Sequence, residues 1–369
     1  MKIIVILVLY FQINYCFKWL ETIYKDTVIR AHRKRHSQAI KYLQTLDNVS
    51  LSNGSVSYPD LTVFIITTKR NKTKFEYLHQ SIAGLHYGLK KANVPARFVV
   101  VFGGDAIDEL IASKFKWFKI PDSFEYSQQS NDKISKECRE YWHYIYVLNL
   151  TNSFKIKNLL LIEDDALAKP ATGLNIKWLL QSRIKQIRYS KPKIIKLWAP
   201  KHYRKYPITL HDICELVSLI YIVFLVCSRL LCMSNNISLF ICIFSLFICL
   251  IGGRDYILGN RPFMFLYTLK PSYSCCIPAV LFIDPDENVP QLIDWLTKNM
   301  HHTIDVMIRR YTRLHNIVDV TLEPDIFWHI GFESSVDHYR SWKTFLDIPG
   351  DLVVDSCRQM KRIYSWISK

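Results

Sequence analysis

The chain has 369 residues, half of them hydrophobic, and carries a formal net charge of +16. That length holds one large domain or two small ones. The charge would suit nucleic acid, an anionic surface or an acidic substrate. With no zinc-finger spacing, RNP-like segment or aromatic-interleaved basic patch, nucleic acid is set aside as a partner.

Residues 1–20 read as an N-terminal membrane anchor: Lys2 precedes the apolar run Ile3–Phe11, and no small-x-small cleavage site follows it. Tyr15, Phe17 and Trp19 suit a membrane interface. Residues 21–58 form a stem, with a basic helical stretch to Leu46 and a Ser/Asn/Gly linker from Asn48 to Tyr58.

The globular pattern starts at residue 59. Leu61–Thr68 is an apolar strand followed by Lys69 and Arg70, and Phe75–Lys91 is a helix with Leu78, Ile82 and Leu85 on one face. Arg97–Phe102 is a second strand, ending in Gly103, Gly104 and Asp105. A helix over Asn131–Asn149 leads to the strand Leu159–Ile162 and then to Glu163, Asp164 and Asp165. Alternating strands and helices imply right-handed crossovers and a mainly parallel α/β sheet. Ligands of such sheets bind at the carboxyl ends of the strands, where Thr67, Lys69, Arg70, Asp105 and the three acids accumulate.

Adjacent carboxylates repel unless a cation neutralises them, and hard oxygen ligands suit Mn²⁺ or Mg²⁺. Those ions commonly bridge a carboxylate to a diphosphate. The chain has no GxGxxG and no GxxxxGK[ST], which argues against a dinucleotide site and a P-loop. A nucleotide sugar held through a metal fits the acids better.

Residues 211–258 interrupt this pattern. Leu216–Met233 and Ile237–Gly253 are apolar runs near the lower length limit for a spanning helix, separated by Ser234-Asn235-Asn236. They predict a tandem transmembrane hairpin, which puts both flanks on the same side of the membrane. Residues 59–210 and 259–369 are then two halves of one domain. In the second half, Cys276–Ile283 reads as a strand and Val289–Asn299 as a helix, and a further helix follows His301. Asn-x-Ser/Thr sites at Asn48, Asn53, Asn71 and Asn149 favour a lumenal catalytic domain. Arg30, Arg33, Lys34 and Arg35 oppose that orientation by the positive-inside rule; they would instead lie along an anionic membrane surface or an acidic partner. Of ten cysteines, most sit in or beside apolar runs as small hydrophobes. Cys275 and Cys276 are open to a vicinal disulfide, to two buried thiols or to bonds with other partners.

Three segments taken together resemble the N-acetylglucosaminyltransferase IV type of GT-A glycosyltransferase: Ile65–Arg70 with Tyr77-Leu78, Glu163–Pro170, and His329-Ile330-Gly331 with Ser334-Ser335. The anchor and the interrupting hairpin are closer to the post-GPI attachment to proteins factor four family of GPI-glycan N-acetylgalactosaminyltransferases, which the paired Cys275-Cys276 also resembles. The resemblance implies an α/β GT-A-type fold interrupted by a transmembrane hairpin, UDP-GalNAc as donor, and the mannose core of GPI-anchored proteins as acceptor. It also implies a multi-pass Golgi membrane protein. The rival readings are an N-glycan N-acetylglucosaminyltransferase and a non-catalytic membrane protein retaining the fold.

On this reading Glu163, Asp164 and Asp165 hold the metal against the diphosphate, with Asp165 the first choice for direct ligation. Thr67, Lys69, Arg70 and Asp105 contact the nucleotide. Inverting transfer needs a base for the acceptor hydroxyl. Asp305 is the candidate, with Asp325 and Glu333 as further acids to test, and His329 reaches the metal or a phosphate.

Overall fold

The computed structural model describes residues 29–46, 60–68, 77–103, 107–121, 133–181, 193–198, 268–272, 278–299, 303–323 and 325–330, with short pieces of 217–243. The anchor, the linker, Lys69, Arg70, Asp105, Cys275, Cys276, Glu333 and most of the hairpin lie outside the described residues.

An eight-stranded sheet of order β3-β2-β1-β4-β8-β6-β9-β7 forms the centre. Its strands are β1 (Leu61–Thr68), β2 (Ala96–Gly103), β3 (Lys116–Lys119), β4 (Asn158–Glu163), β6 (Ile194–Lys196), β7 (Thr268–Pro271), β8 (Ala279–Ile283) and β9 (Asp319–Glu323). β1 pairs in parallel with β2 and β4, β2 with β3, and β6 with β9. β8 runs antiparallel between β4 and β6, and β7 runs antiparallel along the β9 edge. The mainly parallel sheet is as expected. The predicted strand Cys276–Ile283 begins only at Ala279 among the described residues, because Pro278 has no N–H for the ladder. Its carbonyl instead accepts from Glu163 N at 2.9 Å. A separate ribbon pairs β5 (Ala166–Ala168) with β10 (Phe327–His329) in antiparallel register, His329 opposite Ala166.

Helices cover both faces, so the central strands are apolar on both sides and read as unbroken hydrophobic runs. Val63 and Ile65 join a core under α1 (residues 29–44), α2 (Tyr77–Lys91), α3 (Glu109–Lys114) and α5 (Thr172–Gln181). Phe64 and Ile66 point the other way, under α4 (Lys133–Thr151), α6 (Pro285–Lys298) and α7 (Ile304–Leu314). All four side chains are buried, each contributing roughly 1.5–3 kcal/mol of apolar transfer. The predicted start of α6 at Val289 moves to Pro285, whose fixed φ suits a first helical position.

α2 and α5 touch backbone to backbone: a Cβ on Gly173 would lie 1.9 Å from the Gly88 carbonyl oxygen. α1 is tied to α2 by Arg35 Nε, which donates to Gln80 Oε1 at 3.1 Å, and by the Tyr42 hydroxyl, 2.8 Å from His86 Nδ1. Burial, helped by Lys90, pushes the His86 pKa down to about 4.

Among the described residues, no helix is long and apolar enough to cross a membrane.

Candidate active site

The acids arrive at the carboxyl edge because β4 is flanked by β1 and β8 and ends at Glu163. The chain then turns through Asp164 and Asp165 into β5. Each carboxylate of this turn is directed separately. Asp164 N donates to Ile66 O at 3.0 Å, Ser81 Oγ donates to Asp164 O at 2.6 Å, and Thr67 Oγ1 donates to Asp164 Oδ2 at 2.9 Å. Asp164 is thus bound back onto β1 and α2. Glu163 Oε1 accepts from the Tyr144 hydroxyl of α4 at 2.6 Å. Asp165 Oδ2 lies 3.2 Å from His329 Nε2, and the Asp165 carbonyl accepts from Ile330 N at 2.9 Å.

Glu163, Asp165 and His329 each offer a ligand atom within 4.8 Å of the others. Of the three expected metal ligands, Glu163 and Asp165 are brought together, His329 joins them, and Asp164 stands outside the group. Thr67 supports the turn through Asp164. Two carboxylates this close raise each other's energy when ionised, and a cation between them offsets that cost. The donor set fits a divalent ion. The oxygens suit Mn²⁺ or Mg²⁺, and the imidazole favours the transition ion, Mn²⁺.

Asp305 sits apart from this trio, in the first turn of α7. Its Oδ1 accepts from Thr303 Oγ1 and, at 2.8 Å, from Val306 N. Its charge is felt at Lys196, the last residue of β6. Burial lowers the Lys196 pKa to about 8, against the opposing pull of Asp319 and Asp305. Asp325 is buried, and its Oδ1 accepts from Lys169 Nζ at 2.9 Å.

Sequence reasoning passed over several residues around the site. Tyr144 orients Glu163. The Trp198 ring lies 5.0 Å from that of His329, inclined at 57°. His143 fills the space beside the end of β2, where a Cβ on Gly103 would come 2.8 Å from its Cε1. Lys196 completes the group. Tyr144 and His143 lie on a helix whose spacing announces only burial, and Lys196 ends a three-residue strand.

Two solved structures show remote similarity. Glucosyl-3-phosphoglycerate synthase from Mycobacterium tuberculosis, in complex with Mn²⁺, UDP and phosphoglyceric acid, is 10% identical with a TM-score of 0.29, over 73% of this chain and 70% of that one. The mannosyltransferase PcManGT from Pyrobaculum calidifontis, in complex with GDP-Man and Mn²⁺, is 11% identical with a TM-score of 0.22, over 48% of each chain. The model of the family described as GPI-N-acetylgalactosamine transferase PGAP4 matches residues 61–328, most of the chain, taking in Glu163 and Asp165 and ending one residue before His329. The chain therefore belongs to that family and is a glycosyltransferase.

Proposed function

We propose that this glycosyltransferase moves N-acetylgalactosamine from UDP-GalNAc to the mannose core of GPI anchors, with inversion and with a divalent metal, Mn²⁺ before Mg²⁺. The observation that carries this reading is the Glu163–Asp165–His329 trio at the carboxyl edge of the sheet, in a chain of this family. A divalent ion there supplies charge neutralisation for the departing diphosphate. Glu163 and Asp165 would hold it as anions, the first oriented by Tyr144 and the second anchored through its backbone carbonyl, which accepts from Ile330 N. His329 donates a ring nitrogen, and Trp198 packs beside the ring. Thr67 and Ser81 hold the turn, so the acids need little reorganisation when substrate arrives. Asp305 takes the proton of the acceptor hydroxyl. Lys69, Arg70 and Asp105 complete the nucleotide site.

The protein acts in the Golgi membrane, with a lumenal catalytic domain and GPI-anchored proteins as acceptors. In the described pieces of the hairpin, Tyr221, Ile222, Leu239 and Phe240 are at least half exposed, a costly arrangement in water that lipid would cover. This supports a lipid-facing hairpin. Held close to the bilayer, the domain meets a lipid-attached glycan at raised effective concentration.

The test is mass spectrometry of GPI glycans from cells lacking their own side-chain transferase, expressing this chain or its Asp165→Asn variant at equal level. The expected result is a HexNAc added only by the intact chain. No HexNAc from either overturns the GPI assignment, and a HexNAc gained on N-glycans instead moves the acceptor there.

A further inference from the structure

We propose that Lys169 and Asp325 form a clasp that positions His329 for metal binding; this rests on reading the trio as a metal site. The acids and the histidine come from distant parts of the chain. The histidine rides on β10, three residues long, whose partner β5 is equally short. A two-stranded ribbon of that size does not hold itself together. It must be fixed from outside, at both ends.

At the metal end, His329 stands opposite Ala166 and Ile330 N reaches the Asp165 carbonyl. At the other end, Phe327 stands opposite Ala168, and the residues just beyond the two strands, Lys169 on one side and Asp325-Ile326 on the other, enter the clasp. Lys169 N donates to Ile326 O at 3.0 Å, Ile326 N donates to Leu197 O at 3.1 Å, and Thr172 Oγ1 also donates to Ile326 O. Lys169 Nζ and Asp325 Oδ1 meet at 2.9 Å with side chains only 8% and 10% exposed. Lys169 Nζ also lies 5.9 Å from the centre of the Trp328 ring. The ammonium thus holds the segment before β10 and sits over its middle residue.

Removing one partner of a buried pair leaves the other charge poorly compensated, which the segment relieves by moving toward water. Such movement pivots β10 about its metal end and takes His329 Nε2 out of reach of the ion that Glu163 and Asp165 hold. Lys169 and Asp325 are positioning residues. They touch neither metal nor substrate in this arrangement, and they act through His329.

The test is an electron paramagnetic resonance titration of Mn²⁺ into the full-length protein in detergent. The intact chain is compared with Lys169→Arg, Lys169→Met, Asp325→Asn and His329→Gln, with the melting temperature of each metal-free protein read alongside. Lys169→Arg keeps the charge and is expected to bind Mn²⁺ as the intact chain does. Lys169→Met and Asp325→Asn are expected to weaken binding by about 10- to 100-fold, the usual range for residues that orient a metal ligand, and to approach His329→Gln. A lower melting temperature with unchanged Mn²⁺ affinity would make the pair purely structural and overturn the clasp. If Lys169→Met does not fold, the Lys169→Met/Asp325→Asn double variant, which leaves no lone buried charge, replaces it: loss of affinity supports the clasp and retained affinity overturns it. An intact chain that binds no Mn²⁺ overturns the metal reading, and the clasp with it.

Discussion

β1, β2 and β4 bring Thr67, Gly103 and the acidic turn to the site from inside a continuous parallel sheet, whereas His329 arrives on a three-residue strand outside that sheet. On the first side the residues are fixed by a ladder of neighbours: Ile65 pairs with both Val100 and Ile162. On the second side, the position of one ring depends on a ribbon, a buried ion pair and the Trp198 contact. Rigid delivery suits the acids, whose mutual repulsion would otherwise spread them. Delivery through a few discrete contacts leaves the histidine adjustable, so that substitutions remote from the metal can alter its affinity.

The sharpest way to break this contrast is Asp165→Asn. Transfer is expected to fall roughly 1,000-fold, because metal charge stabilisation is worth several kcal/mol and each tenfold is about 1.36 kcal/mol. Steady-state assay of UDP-sugar turnover checks it, and near-normal turnover would remove the acids from the chemistry. Asp305→Asn comes next. A missing general base costs on the order of 100-fold or more in kcat, while Mn²⁺ affinity stays unchanged because Asp305 lies outside the trio. Weaker Mn²⁺ binding in that variant would merge the two sides of the site. Tyr144→Phe removes one hydrogen bond to Glu163, and about a 10-fold loss of Mn²⁺ affinity is expected in a titration.

The smallest effect lies far from the metal, at the seam between α1 and α2. The folded protein keeps His86 neutral down to about pH 4, against an ordinary value of 6.5. Between those two values the unfolded chain binds the extra proton and the folded one does not, so stability is lost as pH falls through that window. The melting temperature should therefore drop on acidification from 6.5 towards 4, and His86→Gln should flatten the slope. An unchanged slope would assign the acid sensitivity to other groups.

Much of the first side could be read from the sequence. Leu61–Thr68 and Leu159–Ile162 are unbroken apolar runs, as strands buried on both faces must be, and Glu163–Asp165 stand out as crowded charge at a strand end. Which way each acid points was not readable. A turn directs successive side chains differently, and only the packed structure brings Thr67 to Asp164. His329 was visible only through resemblance, since one histidine beside Phe327 and Trp328 has no periodic signature. Asp325 stood out only as a further candidate base and Lys169 only as part of the segment after the acids, and nothing local announces that the two meet. β5, β6 and β10 are each three residues long, too short for any period to show.

The position of β8 has a consequence for synthesis. It lies between β4 and β6 and pairs with both, yet it is the last of the three to leave the ribosome. Until it arrives, the nascent sheet has a gap with open hydrogen-bonding edges on either side, a hazard that other chains or chaperones must cover. The apolar segment 211–258 is translated during that interval. Disposal of that segment therefore comes before sealing of the sheet, and no nascent chain ending before Ala279 can hold a finished catalytic edge.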